Sequence, residues 1–442
     1  MRSVGGFTAA CVLISNVVGS GIFTTTGFMA RDLGDPGLIL FLWIVGAFLA
    51  LAGALSYSEL GAALPEAGGE YVYIRHAYGP FVAFLSGWTS FTVGFGAAIA
   101  AAAMGFAAYV LQIFPLDSET GPGAKILALG LIWALTAVHL AGVGPGGALQ
   151  RLLTILKVGA IVLLVGGALV FGHGNWENLT VIDPQVTPSF GTVMVSLIFV
   201  TYTYSGWNAA GYIAGEIVNP GRTLPRSMIW GTLFVGSIYI ILNTVYFYAL
   251  PVAALAQPPV LPVAEKVSVA LFGPAAARFV AIMLCISIAG AASAMVWVGP
   301  RVYYAMARDG VFPALFSETW DESGTPGRAI IIQSVWVTLL IVSGTFEQLV
   351  IYSGFALSLF SALAVGAVII LRWRNANLVR PYRVPLYPFV PLFYVAISSL
   401  IVLYTAIERP LESLLSVATV FAGTPLYLLW RSRFSLRGYR SS

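Results

Sequence analysis

The first long apolar run of the chain is interrupted at its centre by Ser15-Asn16-Val17-Val18-Gly19-Ser20-Gly21-Ile22-Phe23. Two glycines with a serine between them release the backbone from helical geometry. Inside a hydrocarbon layer that release leaves N–H and C=O groups without partners, so an unwound stretch persists only where protein or a bound solute satisfies it. A second interruption, Tyr202-Thr203-Tyr204-Ser205-Gly206-Trp207-Asn208, breaks a later apolar run. Two broken spans in corresponding positions of two halves point to a solute site between inverted repeats, the arrangement of a secondary transporter.

That these runs lie in a membrane follows from composition. Apolar residues make up 59% of the chain and charged residues 9%, against about a quarter charged in a soluble domain. At about 20 residues per span the apolar runs divide into about twelve helices, which leaves little chain for a soluble domain. The expected fold is an all-α polytopic membrane protein in which helices 1 and 6 are broken. Helices 1–5 occupy 5–172, helices 6–10 occupy 190–371, helices 11 and 12 occupy 386–431, and 432–442 form a basic tail. The first span is read as retained rather than as a cleaved leader, because it carries the first break.

The net charge of +4 is explained by topology rather than by a nucleic-acid partner. With the N-terminus in the cytoplasm, Arg75, Arg222, Arg226, Arg301, Arg372 and Arg380 fall on the cytoplasmic side with most other arginines. Only Arg31, Lys125, Lys266, Arg278 and Arg409 fall outside. This is the positive-inside pattern of a chain with both ends in the cytoplasm, and the plasma membrane is the expected location. The arginines of the tail read as an anchor to the membrane surface.

Lys157 stands among apolar residues of helix 5, where a charge costs roughly 2.5–3.5 kcal/mol even on the translocon scale. A functional lysine is expected there, and a side chain snorkelling to the surface is the alternative. Glu59, at the inner end of helix 2, reads as a loop anchor for arginine or backbone donors rather than as a proton relay. Cys11 and Cys285 fall within spans, and His76, His139 and His173 are scattered. No disulfide framework, metal site, catalytic constellation or cofactor is therefore expected. Nor does a ring of repeated filter residues suggest a channel.

Short motifs run through most of the chain in order. They are Gly19-Ser20-Gly21-Ile22-Phe23, Ser56-Tyr57-Ser58-Glu59-Leu60 with Gly68-Gly69-Glu70-Tyr71, and Ser205-Gly206-Trp207-Asn208 followed by Glu216 and Asn219-Pro220. Tyr304-Ala305-Met306-Ala307-Arg308-Asp309-Gly310 and Arg380-Pro381-Tyr382-Arg383-Val384-Pro385 complete the set. In that set the chain resembles the amino acid-polyamine-organocation (APC) transporters and, within them, the L-type branch. The resemblance implies a LeuT-like fold with a five-plus-five inverted repeat and a central amino acid site. It implies that Ser20 and Gly21 offer backbone N–H groups to the substrate carboxylate, which agrees with the positive end of a half-helix dipole. It also implies that Val17, Tyr202 and Ser205 offer carbonyls to the substrate ammonium, with Tyr202 an aromatic gate and Asn208 a polar residue below the pocket. Ser205 stands where many members have glycine. Lys157 resembles the helix 5 lysine that replaces a bound cation in sodium-independent members, with Ser287 on helix 8 as a hydrogen-bond partner. Animal members disulfide-linked to a heavy chain carry an outer-loop cysteine that this chain lacks, so no such partner is expected.

The expected function is transport of neutral L-amino acids across the lipid bilayer by alternating access, without sodium, as an exchanger or uniporter. A proton symporter and a carrier of cationic amino acids or polyamines are the alternatives within the class; a membrane-embedded enzyme or a channel lies outside it. A cationic substrate would favour a carboxylate in the pocket, and neither broken segment holds Asp or Glu. Lys157 is expected to act as a fixed latch on helix 1 rather than as a proton carrier, because no second titratable group is seen to relay the proton.

Overall fold

An aspartate before a proline opens the second span, and its geometry is typical of how this chain starts and stops helices. Asp35 accepts from the N–H groups of Gly37 and Leu38, and Pro36 occupies the first helical position, where its missing N–H costs nothing. Gly34, at φ +62°, ends the preceding helix in the left-handed conformation that glycine adopts without strain. In the computed structural model, which describes residues 5–66, 68–114, 121–141, 143–319 and 326–438, the regular elements are all helical. Among the described residues nine helices are long and apolar enough to cross a membrane. Three shorter apolar helices, Ile155–Val170, Phe190–Tyr204 and Gly327–Ser343, bring the set to the expected twelve.

In chain order, α1 (Gly6–Val17) and α2 (Gly21–Leu33) are the halves of the first span, followed by α3 (Pro36–Ala63) and the short α4 (Glu70–Tyr78). The third span is α5 (Pro80–Thr89) and α6 (Gly96–Ile113), joined through a π-helical turn at Ser90–Phe95. Then come α7 (Pro122–Leu140), α8 (Val143–Phe171), α9 (Phe190–Tyr204) and its continuation α10 (Ala209–Tyr212), α11 (Pro220–Ala249) and α12 (Val252–Ala256). The chain finishes with α13 (Val263–Arg308), kinked at Gly273, then α14 (Gly327–Ser343), α15 (Phe346–Arg374), α16 (Phe389–Glu408) and α17 (Pro410–Gly438). Residues 439–442 of the basic tail lie outside the described residues. No motif or composition shift announces the π-helical turn. It loosens the helix ladder, and the Thr92 carbonyl there accepts from the Trp336 indole at 2.6 Å, which removes the cost of an unpaired group.

Small residues set how closely the spans approach. All seven residues from Ala97 to Ala103 on α6 are buried, and α6 packs against α13, α14 and α15. α3 lies against α11 and reaches α9 and α16. A Cβ on Gly46 of α3 would fall 2.2 Å from Val200 of α9, so α3 and α9 meet at backbone distance.

Glu59 is 1% exposed at the C-terminal end of α3, the end at which a carboxylate is disfavoured by the helix dipole. Its oxygens accept from Arg372 Nε at 2.8 Å and Nη2 at 2.5 Å and from the Val384 N–H at 2.7 Å, with Arg380 Nε 3.3 Å away. The loop-anchor reading holds. Arg372 also lies over the Tyr387 ring, 3.9 Å from its centroid. Arg380 donates to the carbonyls of Leu371, Asn375 and Leu378, so the Arg380–Pro385 motif closes the end of α15 and ties it to α3. Replacing Glu59 by Gln leaves both guanidinium groups facing a neutral amide, and breaking a buried pair in this way costs about 3–5 kcal/mol. The Glu59→Gln protein is expected to unfold at a clearly lower temperature in detergent; an unchanged midpoint would show that the arginines are held by other contacts.

Candidate functional site

The two breaks predicted from glycine and serine lie against each other. α1 ends at Val17 and α2 begins at Gly21; α9 ends at Tyr204, Ser205 is extended, and Gly206 takes φ +100°. A Cβ on Gly206 would fall 3.0 Å from the Asn16 backbone, and one on Gly21 would fall 2.4 Å from Thr203 Oγ1. Glycine is thus required at Gly206 by its backbone angle and at both positions by the contact itself. Thr25 and Thr203 share a hydroxyl contact of 3.2 Å. The Tyr239 hydroxyl of α11 donates to the Val17 carbonyl at 2.8 Å and lies 3.3 Å from the Thr203 carbonyl, so one side chain braces both breaks.

A cavity of about 100 Å³ opens beside this junction, and Asn16, Tyr202, Ser205 and Asn208 line it. Val17, Ser20 and Gly21 are buried and are not part of that wall. Ser20 precedes α2 but makes no side-chain cap and instead meets the Tyr202 hydroxyl. The leading N–H groups of α2 are therefore uncapped by Ser20, at the positive end of a half-helix. The carbonyls expected for an ammonium differ in availability. That of Val17 already accepts from Tyr239, and that of Tyr202 accepts the Ser205 N–H at 3.0 Å, leaving one lone pair on each.

Toward the end of α2 the site is closed. Phe28 lies parallel between Phe199 and Phe346, at centroid distances of 5.4 and 6.1 Å. Arg31 covers Phe28 and is held by Asp32 and Glu347, the latter also bound by Arg409. None of the cavity wall comes from α2, so the cavity extends away from this aromatic layer toward α4 and α10.

Lys157 is 0% exposed, which excludes a snorkelling side chain. Its Nζ donates to the Ser15 carbonyl at 2.9 Å, one of the carbonyls that the end of α1 leaves without an intrahelical donor. A cation at the C-terminal end of a half-helix is favoured by its dipole. The expected bond to Ser287 is not formed, since Ser287 Oγ is buried without a hydrogen-bond partner. The physical reason is that α1 stops early and offers a stronger acceptor. Lys157 Cε does run along α13, where a Cβ on Gly290 would sit 3.7 Å from it.

Sequence reasoning missed three residues of the site. Asn16 lines the cavity, and its position inside the first break was a legible signal. Tyr239 had none, because a tyrosine in an apolar run reads as core. Glu70 also lines the cavity, and only its place in the Gly68–Tyr71 motif marked it.

A family model described as amino acid permease matches residues 4–426. The chain belongs to that family. It is 28% identical over 437 residues to the large neutral amino acids transporter small subunit 2 of Homo sapiens, covering 97% of this chain and 80% of that one. It is 30% identical over 440 residues to the serine/threonine exchanger SteT of Bacillus subtilis (strain 168), covering 98% and 97%. The Asc-type amino acid transporter 1 of Homo sapiens is 27% identical over 444 residues. The resemblance to L-type APC transporters is borne out, and the permease is a membrane transporter, not an enzyme.

Because a Cβ on Gly21 would fall 2.4 Å from Thr203 Oγ1, Gly21→Val in the permease should force α2 from α9 and abolish amino acid binding. The protein should remain monodisperse in detergent. Scintillation proximity binding checks this, and unchanged affinity in a well-folded variant would remove Gly21 from the site.

Proposed function

We propose that the permease carries neutral L-amino acids by alternating access, without sodium, as an exchanger or uniporter. The observation that carries this reading is the apposition of the two breaks. The N-terminus of α2, which Ser20 leaves uncapped, adjoins the ends of α1 and α9, whose Asn16, Tyr202 and Tyr204 line the cavity, and this supports a site for the carboxylate and ammonium of a zwitterion. Ser20 and Gly21 hold the carboxylate in this proposal, Val17, Tyr202 and Ser205 the ammonium, while Tyr202 and Asn208 shape the cavity. The neutral class is supported by the two broken segments, which contain no Asp or Glu, and by relatives named for large neutral amino acids and for serine and threonine.

Lys157 takes the part of a bound cation between α1 and α13. Its ammonium and a sodium ion would repel each other in one small space. The ammonium braces α1 through Ser15, so that α1 can swing only when that bond is given up. Residues 5–172 and 190–371 are proposed as the two inverted repeats, with the face bearing Arg75, Arg372 and Arg380 in the cytoplasm of a plasma membrane. One relative is named a small subunit. Here Cys11 lies on α1 and Cys285 on α13, which supports a permease that works without a disulfide-linked partner.

Uptake of a radiolabelled neutral amino acid into liposomes preloaded with the same amino acid is expected to be unchanged when choline replaces sodium. Uptake that climbs steeply with sodium at constant ionic strength and voltage would overturn the assignment of Lys157. Lys157→Ala should fold yet lose at least about tenfold in transport, equivalent to 1.4 kcal/mol. Wild-type rates in that variant would show that the Ser15 contact is not part of the cycle.

A further inference from the structure

The cavity wall holds a carboxylate that neither broken helix supplies. Glu70, in the first turn of α4, is 5% exposed and lines the cavity with Ser90 and Tyr212. Its Oε2 accepts from the Tyr57 hydroxyl at 3.2 Å and its Oε1 from the Ser90 hydroxyl at 3.1 Å. Among the described residues no cationic side chain is bonded to it. The titratable groups facing it are Tyr57 on α3, Tyr73 on α4, Tyr212 on α10 and Tyr394 on α16. Charged groups on the neighbouring elements are engaged elsewhere: Arg75 with Glu66 and Asp309, Arg372 with Glu59, and Arg374 with the Ala77 carbonyl.

Glu59 supplies the contrast. It is as deeply buried but has two guanidinium groups and a backbone N–H, the partners an ionised carboxylate needs in such a place. Glu70 has two neutral hydroxyls, at distances longer than the roughly 2.5–2.7 Å of hydroxyl bonds to an ionised carboxylate. Burial pushes the Glu70 carboxyl above its ordinary range, and the Ser90 and Tyr57 hydrogen bonds oppose this to a smaller extent.

The turn that carries Glu70 rests on α10. Gly68 and Gly69 have φ of +120° and +53°, and a Cβ on Gly69 would fall 2.6 Å from the Tyr212 ring. The Gly68 N–H points to the Tyr212 carbonyl at 3.4 Å, and the Tyr212 hydroxyl accepts from Asn208 Nδ2 at 3.2 Å. A continuous set of contacts therefore joins Asn208, at the break, to Glu70 through α10.

We infer that Glu70 is a proton-binding site linked to opening of the cavity along α10. While the cavity is closed around it the carboxyl is neutral. When α10 moves and water enters, the O–H bond breaks, the proton passes to water, and the carboxylate remains hydrated. On this inference Glu70 is a second titratable group in addition to Lys157. Because the closed form holds its proton to higher pH, raising pH favours the open form in the window between the ordinary carboxylate pKa and the raised one. Each pKa unit between the two forms shifts that equilibrium by up to about tenfold.

The linkage rests on the alternating-access reading, whereas the proton site can be measured without transport. Infrared difference spectra of the purified permease, titrated from about pH 5 to about pH 8, should show a protonated-carboxyl band above the ordinary carboxylate range that is missing from Glu70→Gln. Ser90→Ala, which deletes a donor that favours the carboxylate, should move that band's midpoint to higher pH. Exchange of one neutral amino acid at equal pH on both sides of the liposome should rise at least about threefold over the same range and stay flat in Glu70→Gln. Absence of a Glu70-dependent band, or an unmoved midpoint in Ser90→Ala, overturns the proton site. A wild-type pH profile retained in Glu70→Gln overturns the link to α10. A wild-type protein that exchanges nothing tells against the transport reading, and the infrared titration still decides the proton site.

Discussion

The structure depends on the cost of unpaired backbone inside a membrane. Each helix that stops within the hydrocarbon layer presents N–H or C=O groups that lipid cannot bond, and this chain stops two spans beside each other. Their ends meet as a consequence. Tyr239 takes the Val17 carbonyl, Tyr246 approaches the Ile22 carbonyl at 3.2 Å, Tyr109 donates to the Phe23 carbonyl at 2.6 Å, and Lys157 takes that of Ser15. Lys157 of α8 and Tyr239 of α11 thus take carbonyls that the end of α1 leaves unfinished, while Tyr109 of α6 and Tyr246 of α11 add a second donor to carbonyls in the first turn of α2.

Buried charge is handled in three different ways. Glu59 is neutralised outright, with guanidinium groups that fasten α15 and the following loop to α3. Lys157 is given a helix end in place of a counter-ion, a weaker arrangement that a modest displacement of α1 can undo. Glu70 has only hydroxyls, so its protonation answers to how closed the cavity is. The strength of the partner set runs parallel to position: the firmest lies in the scaffold, and the two weaker ones lie against the segments whose helices are broken.

The cavity lies on one side of the junction because the other side is filled. Phe28, Phe199 and Phe346 stack over the breaks, and the Arg31, Glu347 and Arg409 group seals them above. On the side of α4 and α10 the wall mixes apolar groups such as Phe95, Trp207 and Leu357 with hydroxyls, an amide and a carboxyl, and these polar groups can exchange a protein partner for water at small cost.

Hydropathy, the glycine and serine breaks and the ordered motifs determined the twelve spans, the two interruptions and the family. These are local properties: a run of apolar residues is long enough or it is not, and glycine weakens a helix wherever it stands. Lys157 was legible for the same reason, since a charge in an apolar run is conspicuous without any neighbour. Its partner was not, because Ser15 and Ser287 are both far from it in the chain and only the early end of α1 makes the Ser15 carbonyl the better acceptor. The occupied carbonyls of Val17 and Tyr202, the close approach that requires Gly21, and the burial of Glu70 without a cation likewise required the tertiary structure. Each is a relation between segments far apart in the chain, and the free energy of a buried polar group is decided by what lies within hydrogen-bonding distance of it.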